Sequence, residues 1–376
     1  MKKKLLTGIL LLTMTTTILA GCGSKEETAP EEEVTVTVEA IPEEPEVVEE
    51  EEVVEEEVVS DELPEGMYRS ELTGLPISEE IKNQRPIAVM VDNESLALPH
   101  FGTAEADIVY ELMNSTLNGR ITRFMVMVKD WENIEQLGSI RSARPTNFML
   151  AAEWNAALIH DGGPFYIDQY CARDYCVHFS GGFTRVNNGK ATEYTEYVTG
   201  NDLTSRFAES NYSRDYDSYY PGEHYSFALP SQPVVLDDIY SGYTYDATSI
   251  DIKPFEHNSS KLEYNAETGT YDYSEYGSLH KDGEDDEVLT FDNVIIQKCT
   301  FAKLDENGYL IYNILAENMP GYYITGGKAI DITWNKLAET DITRYYDGNG
   351  QQITLNPGKT YIAVVPDDTW DQMVIK

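Results

Sequence analysis

Basic residues are scarce in this chain. Its 376 residues include 27 Lys and Arg against 66 Asp and Glu, which gives a formal net charge of -39. Because Lys and Arg supply most of the affinity of proteins for phosphate backbones, this balance argues against nucleic acid as a partner. Nineteen of the acids lie between Lys25 and Glu65, yet the remainder of the chain is still strongly acidic. An anionic ligand would therefore need a local basic pocket.

The common catalytic signatures are also missing. The sequence contains no Gly-x-Ser-x-Gly, no Gly-x4-Gly-Lys-Ser/Thr and no His-Glu-x2-His, which are the motifs of a nucleophile elbow, a phosphate loop and a zinc protease. The stretch Ser278-Leu279-His280-Lys281 matches Ser-x2-Lys formally, but its partner motifs are absent, so we interpret the match as chance. No cofactor is predicted, and no reaction follows from motifs alone.

Cysteine is rare, with four residues in the whole chain. Cys22 is predicted to carry a lipid, which leaves three cysteines for other roles. At least one of these three thiols is therefore unpaired or bonds another molecule. Cys171 and Cys176 are the obvious disulfide pair in an oxidising exterior, provided that the chain turns between them, because a continuous helix would hold them out of reach. Free thiols stay open as an alternative, and so does a zinc site with His178 and His160. We predict the disulfide and assign no metal.

The first 22 residues have the pattern of an export signal. Lys2 to Lys4 precede a mostly apolar stretch from Leu5 to Ala20, which is shorter than the about 20 residues that a membrane span needs. Leu19-Ala20-Gly21-Cys22 resembles a bacterial lipobox, so residues 1–21 are predicted to be removed and Cys22 to carry a lipid with two acyl chains, enough for stable anchoring. An ordinary secretory signal with an incidental cysteine is the alternative. We expect the protein on the outer face of the cytoplasmic membrane.

Residues 22–66 form a second predicted region, an acidic tether. Glu runs alternate there with Val pairs and Pro, and aromatic side chains are absent. Such a segment cannot bury enough apolar surface to offset the entropy of ordering, so it is predicted to be disordered. As a coil of about 44 residues it would reach roughly 40 Å. It would act as a spacer between membrane and folded part, or as a solubilising tail.

The rest of the chain predicts an α+β protein in two parts. Residues 67–235 mix strand and helix patterns and are expected to form an α/β layer domain. The predicted strands there are Pro86–Asp92, Ala106–Leu112, Thr122–Val128 and 157–160, and the predicted helices are 141–157, 167–175 and 201–211. Residues 236–376 carry hairpin signals such as Asp347-Gly348-Asn349-Gly350, so we expect a mainly antiparallel β domain. The acidic loop Asp282 to Glu287 lacks the spacing of a calcium loop and is interpreted as a solvated loop.

The best candidate for a binding site is a group of arginines. Arg141 and Arg144 follow a short strand at the predicted start of a helix near Ser142. There both guanidinium groups could converge beside unpaired backbone N–H groups and bind phosphate or carboxylate in a bidentate way. Arg123 and Arg120 lie nearby in sequence and complete the predicted anion-binding set. The alternative is internal pairing with carboxylates, of which Asp92, Asp107, Glu111 and Asp161 are candidates.

Short segments in a fixed order carry a resemblance to a known family. They include Leu72-Thr73-Gly74-Leu75-Pro76, Ala106-Asp107-Ile108-Val109-Tyr110-Glu111, Ile140-Arg141-Ser142-Ala143-Arg144, His160-Asp161-Gly162-Gly163 and Leu355-Asn356-Pro357-Gly358-Lys359-Thr360. Together they resemble the YerB-like bacterial lipoproteins, a family of unknown function with an N-terminal and a C-terminal conserved region (domain of unknown function 3048). One departure is Ala191 to Tyr197, where relatives tend to show a stretch with Pro-His-Asn. The resemblance implies an envelope lipoprotein but supplies no reaction.

Three hypotheses about function follow. The favoured one is a membrane-anchored protein that binds an anionic envelope component, such as a cell-wall glycopolymer or a peptidoglycan fragment, through the arginines. The second is an enzyme on envelope glycopolymers, by phosphoryl transfer or hydrolysis, with Asp92 or Asp161 holding a metal. The third is a purely structural protein that binds a partner and has internally paired arginines. We favour binding because an arginine cluster needs a metal or a base beside it before it can support phosphoryl transfer.

Overall fold

The computed structural model describes residues 60–376, which belong to one compact unit. The predicted signal 1–21, the lipidated Cys22 and most of the tether 22–66 lie outside the described residues. No helix within 60–376 has the length and apolar character that crossing a bilayer requires.

Strands make up most of the regular structure of residues 60–376. Those before residue 200 are β1 (Met67–Arg69), β2 (Pro76–Ser78), β3 (Ile87–Asp92), β4 (Ile108–Met113), β5 (Thr122–Val128), β6 (Leu137–Gly138), β7 (Ala157–His160), β8 (Val177–Ser180), β9 (Thr184–Arg185) and β10 (Glu196–Val198). Those after it are β11 (Ser226–Phe227), β12 (Tyr245–Asp246), β13 (Ser249–Asp251), β14 (Lys261–Asn265), β15 (Thr270–Glu275), β16 (Ser278–Leu279), β17 (Thr290–Phe291), β18 (Asn293–Cys299), β19 (Phe301–Lys303), β20 (Leu310–Tyr312), β21 (Ala316–Thr325), β22 (Lys328–Lys336), β23 (Arg344–Tyr346), β24 (Thr354–Leu355), β25 (Thr360–Pro366) and β26 (Val374–Ile375).

Helices are few and short in the described part of the chain. They are α1 (Pro145–Glu153), α2 (Asp168–Cys171), α3 (Gly200–Glu209) and α4 (Leu236–Ile239). The fold is therefore mainly β with few helices, and the helices predicted over 141–157 and 167–175 are shorter than expected. Pro145 stands at the first position of α1, where its fixed φ suits a helix start, so the helix begins there and not near Ser142.

One eleven-stranded sheet runs through the whole described molecule. Its order is β12, β22, β21, β18, β25, β4, β5, β3, β7, β8, with β23 paired to β22. In the middle of the sheet, β25 pairs with β4 in parallel. The paired residues run from Thr360 opposite Ile108 to Val364 opposite Leu112. The predicted regions 67–235 and 236–376 thus contribute strands to the same sheet. The central strands are apolar along nearly their whole length because both faces of the sheet are covered.

Two hydrophobic cores lie on the two faces of this sheet. Along β5, Met125 and Met127 face one core, whereas Phe124 and Val126 face the other, as the two-residue period of a strand requires. The first core packs against α1, and the second packs against α3 and a six-stranded sheet made of β13 to β17 and β26. This arrangement leaves the ends of the strands for polar side chains.

Candidate functional site

The predicted arginines come together at one edge of the central sheet. Strands β3 and β7 run parallel and end there at Asp92 and His160. Strand β5 runs the opposite way and begins at this edge, so its second residue, Arg123, lies opposite Asp92. Arg144 caps the start of α1, which follows the loop after β6. The carboxyl edge of parallel strands is where open α/β sheets bind ligands.

Arg144 is the residue directly before α1, whereas the predicted helix start near Ser142 would have placed it inside the helix. Its backbone N–H donates to Asn147 Oδ1 at 2.8 Å. Its guanidinium group donates from Nε to the carbonyl of Asn114 at 3.2 Å and from Nη1 to the carbonyl of Ala143 at 3.0 Å. The group also stacks over Tyr309, 4.7 Å from the ring centre. All the acceptors of this guanidinium group in the described structure are therefore neutral.

Arg123 has a similar environment. Its side chain enters the same face of the sheet as α1, and the residue is only 7% exposed. Nη1 donates to Asn114 Oδ1 at 2.9 Å and to the carbonyl of Ser142 at 2.6 Å, and Nε has no hydrogen-bond partner. Among residues 60–376, no Asp or Glu forms an ion pair with Arg123 or with Arg144. Two buried cations are thus adjacent without a counterion from the described chain.

The pKa values of these two side chains reflect that environment. Burial, together with the neighbouring charge of Arg144, lowers the pKa of Arg123 to about 9. Burial, together with the neighbouring charge of Arg141, lowers the pKa of Arg144 to about 10. Removing a cation from water disfavours its charged form unless an anion compensates. An anion bound between the two guanidinium groups would relieve both effects.

Arg141 and Arg120 differ from this pair because each has carboxylate partners. Arg141 Nε lies 2.5 Å from Asp92 Oδ2 and Nη2 lies 2.9 Å from Glu193 Oε2; burial acts to lower its pKa, but the two carboxylates raise it above the usual value. Arg120 makes a bidentate pair with Asp368, at 2.7 and 3.2 Å, and shares no hydrogen-bonding partner with Arg123 or Arg144. Internal pairing thus describes these two arginines. Arg141, with 27% of its side chain exposed, and the half-buried Ser142 form the outer part of the site.

The predicted disulfide is not formed, since Cys171 and Cys176 are both free thiols in the structure. Cys171 ends α2, and Cys176 lies just before β8 among apolar side chains of α1 such as Ala151 and Ala152. Burial raises the pKa of Cys176 to about 12, so its thiolate is strongly disfavoured. His160 Nε2 lies 3.1 Å from His178 Nδ1, but within 60–376 these side chains do not converge with the cysteines into a metal-binding group.

A different group could hold a metal. His100, Glu275 and His280 are buried and present ligand atoms within 4.8 Å of one another. The sequence does not reveal this group, because His100 lies more than 170 residues before Glu275 and His280; the only signal in the sequence is the rarity of histidine, with six in all. The interpretation of Asp282 to Glu287 as a solvated loop is wrong at its first residue, because Asp282 is buried and accepts the backbone N–H of Thr103 at 2.6 Å.

Comparison with known proteins adds the following. Residues 72–213 match the family model described as "Protein of unknown function (DUF3048) N-terminal domain", and residues 250–362 match the corresponding C-terminal domain. The chain is 26% identical over 310 residues to the Bacillus subtilis (strain 168) protein named "Putative lipoprotein YerB", an alignment that covers 80% of this chain and 86% of that protein. The crystal structure of YerB protein from Bacillus subtilis superposes with a TM-score of 0.68 at 20% identity, covering 82% of this chain and 99% of that one. At this identity the superposition shows a shared fold.

Proposed function

The chain belongs to the DUF3048 family of proteins of unknown function, and from that premise we propose that it is a lipid-anchored envelope protein that binds an anionic envelope component through Arg123, Arg144 and Arg141. The observation that carries the proposal is the pair of buried guanidinium groups of Arg123 and Arg144, which have neutral acceptors but no carboxylate partner in the described chain.

Electrostatics supports a ligand rather than a structural role for this pair. A buried charge without a partner is costly, and proteins normally pair it or bind an ion there. The start of α1 adds partial positive charge next to Arg144. In a chain with a net charge of -39, a pair of cations of this kind would attract anions only at close range. The ligand is a phosphate or carboxylate group, because the arginine fork matches both geometries.

The ligand would come from the cell envelope. The lipobox-like Leu19-Ala20-Gly21-Cys22 and the name of the relative, a lipoprotein, support a lipid anchor on the outer face of the membrane. The anionic groups there that suit the site are phosphates of cell-wall glycopolymers and carboxylates of peptidoglycan fragments. Arg141 and Ser142, at the outer part of the site, would contact the polymer around the group that Arg123 and Arg144 hold.

The test is thermal unfolding of the unlipidated chain from Gly23 to Lys376, with inorganic pyrophosphate and with a soluble muropeptide as probes. We expect one probe to raise the melting temperature, because a ligand at a hundred times its Kd adds about 2.7 kcal/mol to the free energy of unfolding. Arg144→Gln should abolish this increase. Arg173→Gln is the matched control, since it removes the same charge from an exposed arginine that pairs with Glu339 at 3.4 Å.

Arg144→Lys is a second variant for the case in which Arg144→Gln misfolds. It keeps the positive charge but removes the planar guanidinium group. It should weaken binding at least about tenfold, as expected when a bidentate contact is lost. Equal stabilisation of Arg144→Gln and Arg173→Gln, or no response of the parent chain to either probe, would refute the proposed function.

A further inference from the structure

His100, Glu275 and His280 form a buried group on the opposite side of the sheet from the arginines. The three residues are 0%, 2% and 3% exposed. The His100 ring makes an edge contact with Phe124, with ring centres 5.7 Å apart, and the His280 ring packs against Tyr273 at 5.9 Å. No solvent reaches these side chains, so their hydrogen bonds within the protein decide where their protons and lone pairs lie.

The hydrogen bond of His100 fixes the state of its ring. Nε2 lies 2.6 Å from the backbone oxygen of Asp92. A carbonyl oxygen can only accept, so Nε2 carries the hydrogen, and Nδ1 of the neutral ring presents a lone pair. Nδ1 is buried and has no hydrogen-bond partner in the part of the chain that the structure describes. His100 therefore offers an unused nitrogen lone pair in the interior.

A second hydrogen-bond chain fixes His280. Its Nε2 lies 3.2 Å from Thr103 Oγ1, which in turn donates its hydrogen to Asp282 Oδ2 at 3.0 Å. Thr103 Oγ1 must then accept from Nε2–H, so the lone pair of His280 is on Nδ1. That nitrogen lies 2.8 Å from Glu275 Oε1, an oxygen that can only accept when the carboxylate is ionised. Two lone pairs that face each other at this distance need either a shared proton or a metal cation between them.

One oxygen of Glu275 is also left without a partner. Glu275 Oε2 is buried and forms no hydrogen bond of good geometry within residues 60–376. Burial raises the pKa of this carboxyl, and the nearby side chains of Asn258 and Asn93 act in the opposite direction. The interior of the described chain thus holds two imidazole lone pairs and an unpartnered carboxylate oxygen. Buried polar atoms of this kind are rare without an ion or a water.

We propose that His100, His280 and Glu275 bind a divalent transition-metal cation of the Zn²⁺ class. Two imidazoles with a carboxylate are a common donor set for Zn²⁺. Ligand atoms around one tetrahedral Zn²⁺ at about 2.0 Å lie roughly 3.3 Å apart, a spacing that atoms within 4.8 Å of one another reach by small side-chain rotations.

The surroundings of the two histidines match those of known metal ligands. Metal-bound histidines nearly always donate their second N–H to a carbonyl or carboxylate, which orients the ring. Here His100 donates to the Asp92 carbonyl, and His280 donates to Thr103, which is held by Asp282. The cation would tie the loop after β3 to the segment after β15. Because the site is buried and distinct from the arginines, this proposal stands independently of anion binding.

The test is calorimetric titration of Zn²⁺ into the chelator-treated, unlipidated chain, in millimolar Mg²⁺ to occupy the surface carboxylates. We expect one Zn²⁺ per chain, and a loss of at least 100-fold in affinity in His280→Gln. His257→Gln is the matched control, because His257 is partly exposed, lies 3.3 Å from Glu94 and is outside the group; it should bind like the parent chain.

If His280→Gln does not fold, X-ray absorption of the zinc-loaded parent chain tests the proposal without a variant, because it reports the atoms that surround the metal. A first shell with two imidazoles and only nitrogen and oxygen ligands supports the proposal. A sulfur ligand would place the ion at Cys171, Cys176 or Cys299 and overturn the proposal. Absence of stoichiometric binding, or equal binding by His280→Gln and His257→Gln, would overturn it as well.

Discussion

Two carboxyl groups that are shielded from water in this protein have different partners, one a cation and the other a backbone N–H. Glu153, at the end of α1, pairs with Lys336 Nζ at 2.9 Å and accepts the backbone N–H of Thr343 at 3.1 Å. Asp107, which is half-buried, instead accepts the backbone N–H of Lys129 at 2.6 Å, and the loss of water around it raises its pKa to about 7. A carboxyl group with a raised pKa couples folding to proton uptake.

Stability should therefore depend on pH through Asp107. Its folded-state pKa of about 7 lies above the value of about 3.9 in an unfolded chain. Between these values the folded state holds a proton that the unfolded state has lost. The contribution of this proton to the free energy of unfolding is thus complete below about pH 4 and is lost as the pH rises through 7. The free energy of unfolding falls by at most about 1.4 kcal/mol per pH unit from this cause.

Urea unfolding between pH 4.5 and 7.5 measures this effect. Asp107→Asn keeps an acceptor for the backbone N–H of Lys129 but cannot ionise. The difference between its free energy of unfolding and that of the parent chain should therefore shift in favour of the variant as the pH rises. Asp130→Asn, at an exposed position, is the control. Parallel curves for Asp107→Asn and the parent chain would show that Asp107 does not titrate in this range.

At the scale of elements, strand β4 connects the two predicted regions. All six of its residues are buried, and it pairs with β5 on one side and with β25 on the other. Strand β25 belongs to the predicted region 236–376. Without it, β4 would expose a row of unpaired backbone groups and a wide apolar surface.

We therefore expect that a fragment of residues 60–235 does not fold on its own. Near-ultraviolet circular dichroism and amide dispersion in a proton–nitrogen correlation spectrum are the measurements, with residues 60–376 as the control. The fragment should show narrow dispersion and no cooperative thermal transition. A well-dispersed spectrum with a sharp transition would instead establish residues 67–235 as an independent domain.

At the scale of the whole molecule, the predicted lipid on Cys22 is the feature that would locate the protein at the membrane. A chain with a net charge of -39 is repelled by anionic lipid surfaces. An acyl anchor would overcome this repulsion because its apolar chains insert into the bilayer.

Cys22→Ser should release the protein from the membrane into the soluble fraction, because two acyl chains supply the binding free energy. Cell fractionation with immunoblotting measures this. Cys171→Ser, which changes a thiol within the folded part, should leave the protein in the membrane fraction. Retention of Cys22→Ser at the membrane would contradict lipid anchoring through this residue.

The sequence by itself determined those features that depend on neighbouring residues. The strands predicted at 86–92, 106–112 and 122–128 correspond to β3, β4 and β5, because continuous β-branched and apolar runs favour buried strands. The ordered short segments were enough to identify the family. The arginines were noticed for the same reason, since they stand close together in an acidic chain.

Only the tertiary structure decided which side chains meet. It paired Arg141 with Asp92 and, within residues 60–376, left Arg123 and Arg144 without a carboxylate partner. It also brought His100 to Glu275 and His280, which lie more than 170 residues further along the chain. Local pattern fixes the period and burial of a strand, but the order and register of strands in a sheet determine which distant residues become neighbours.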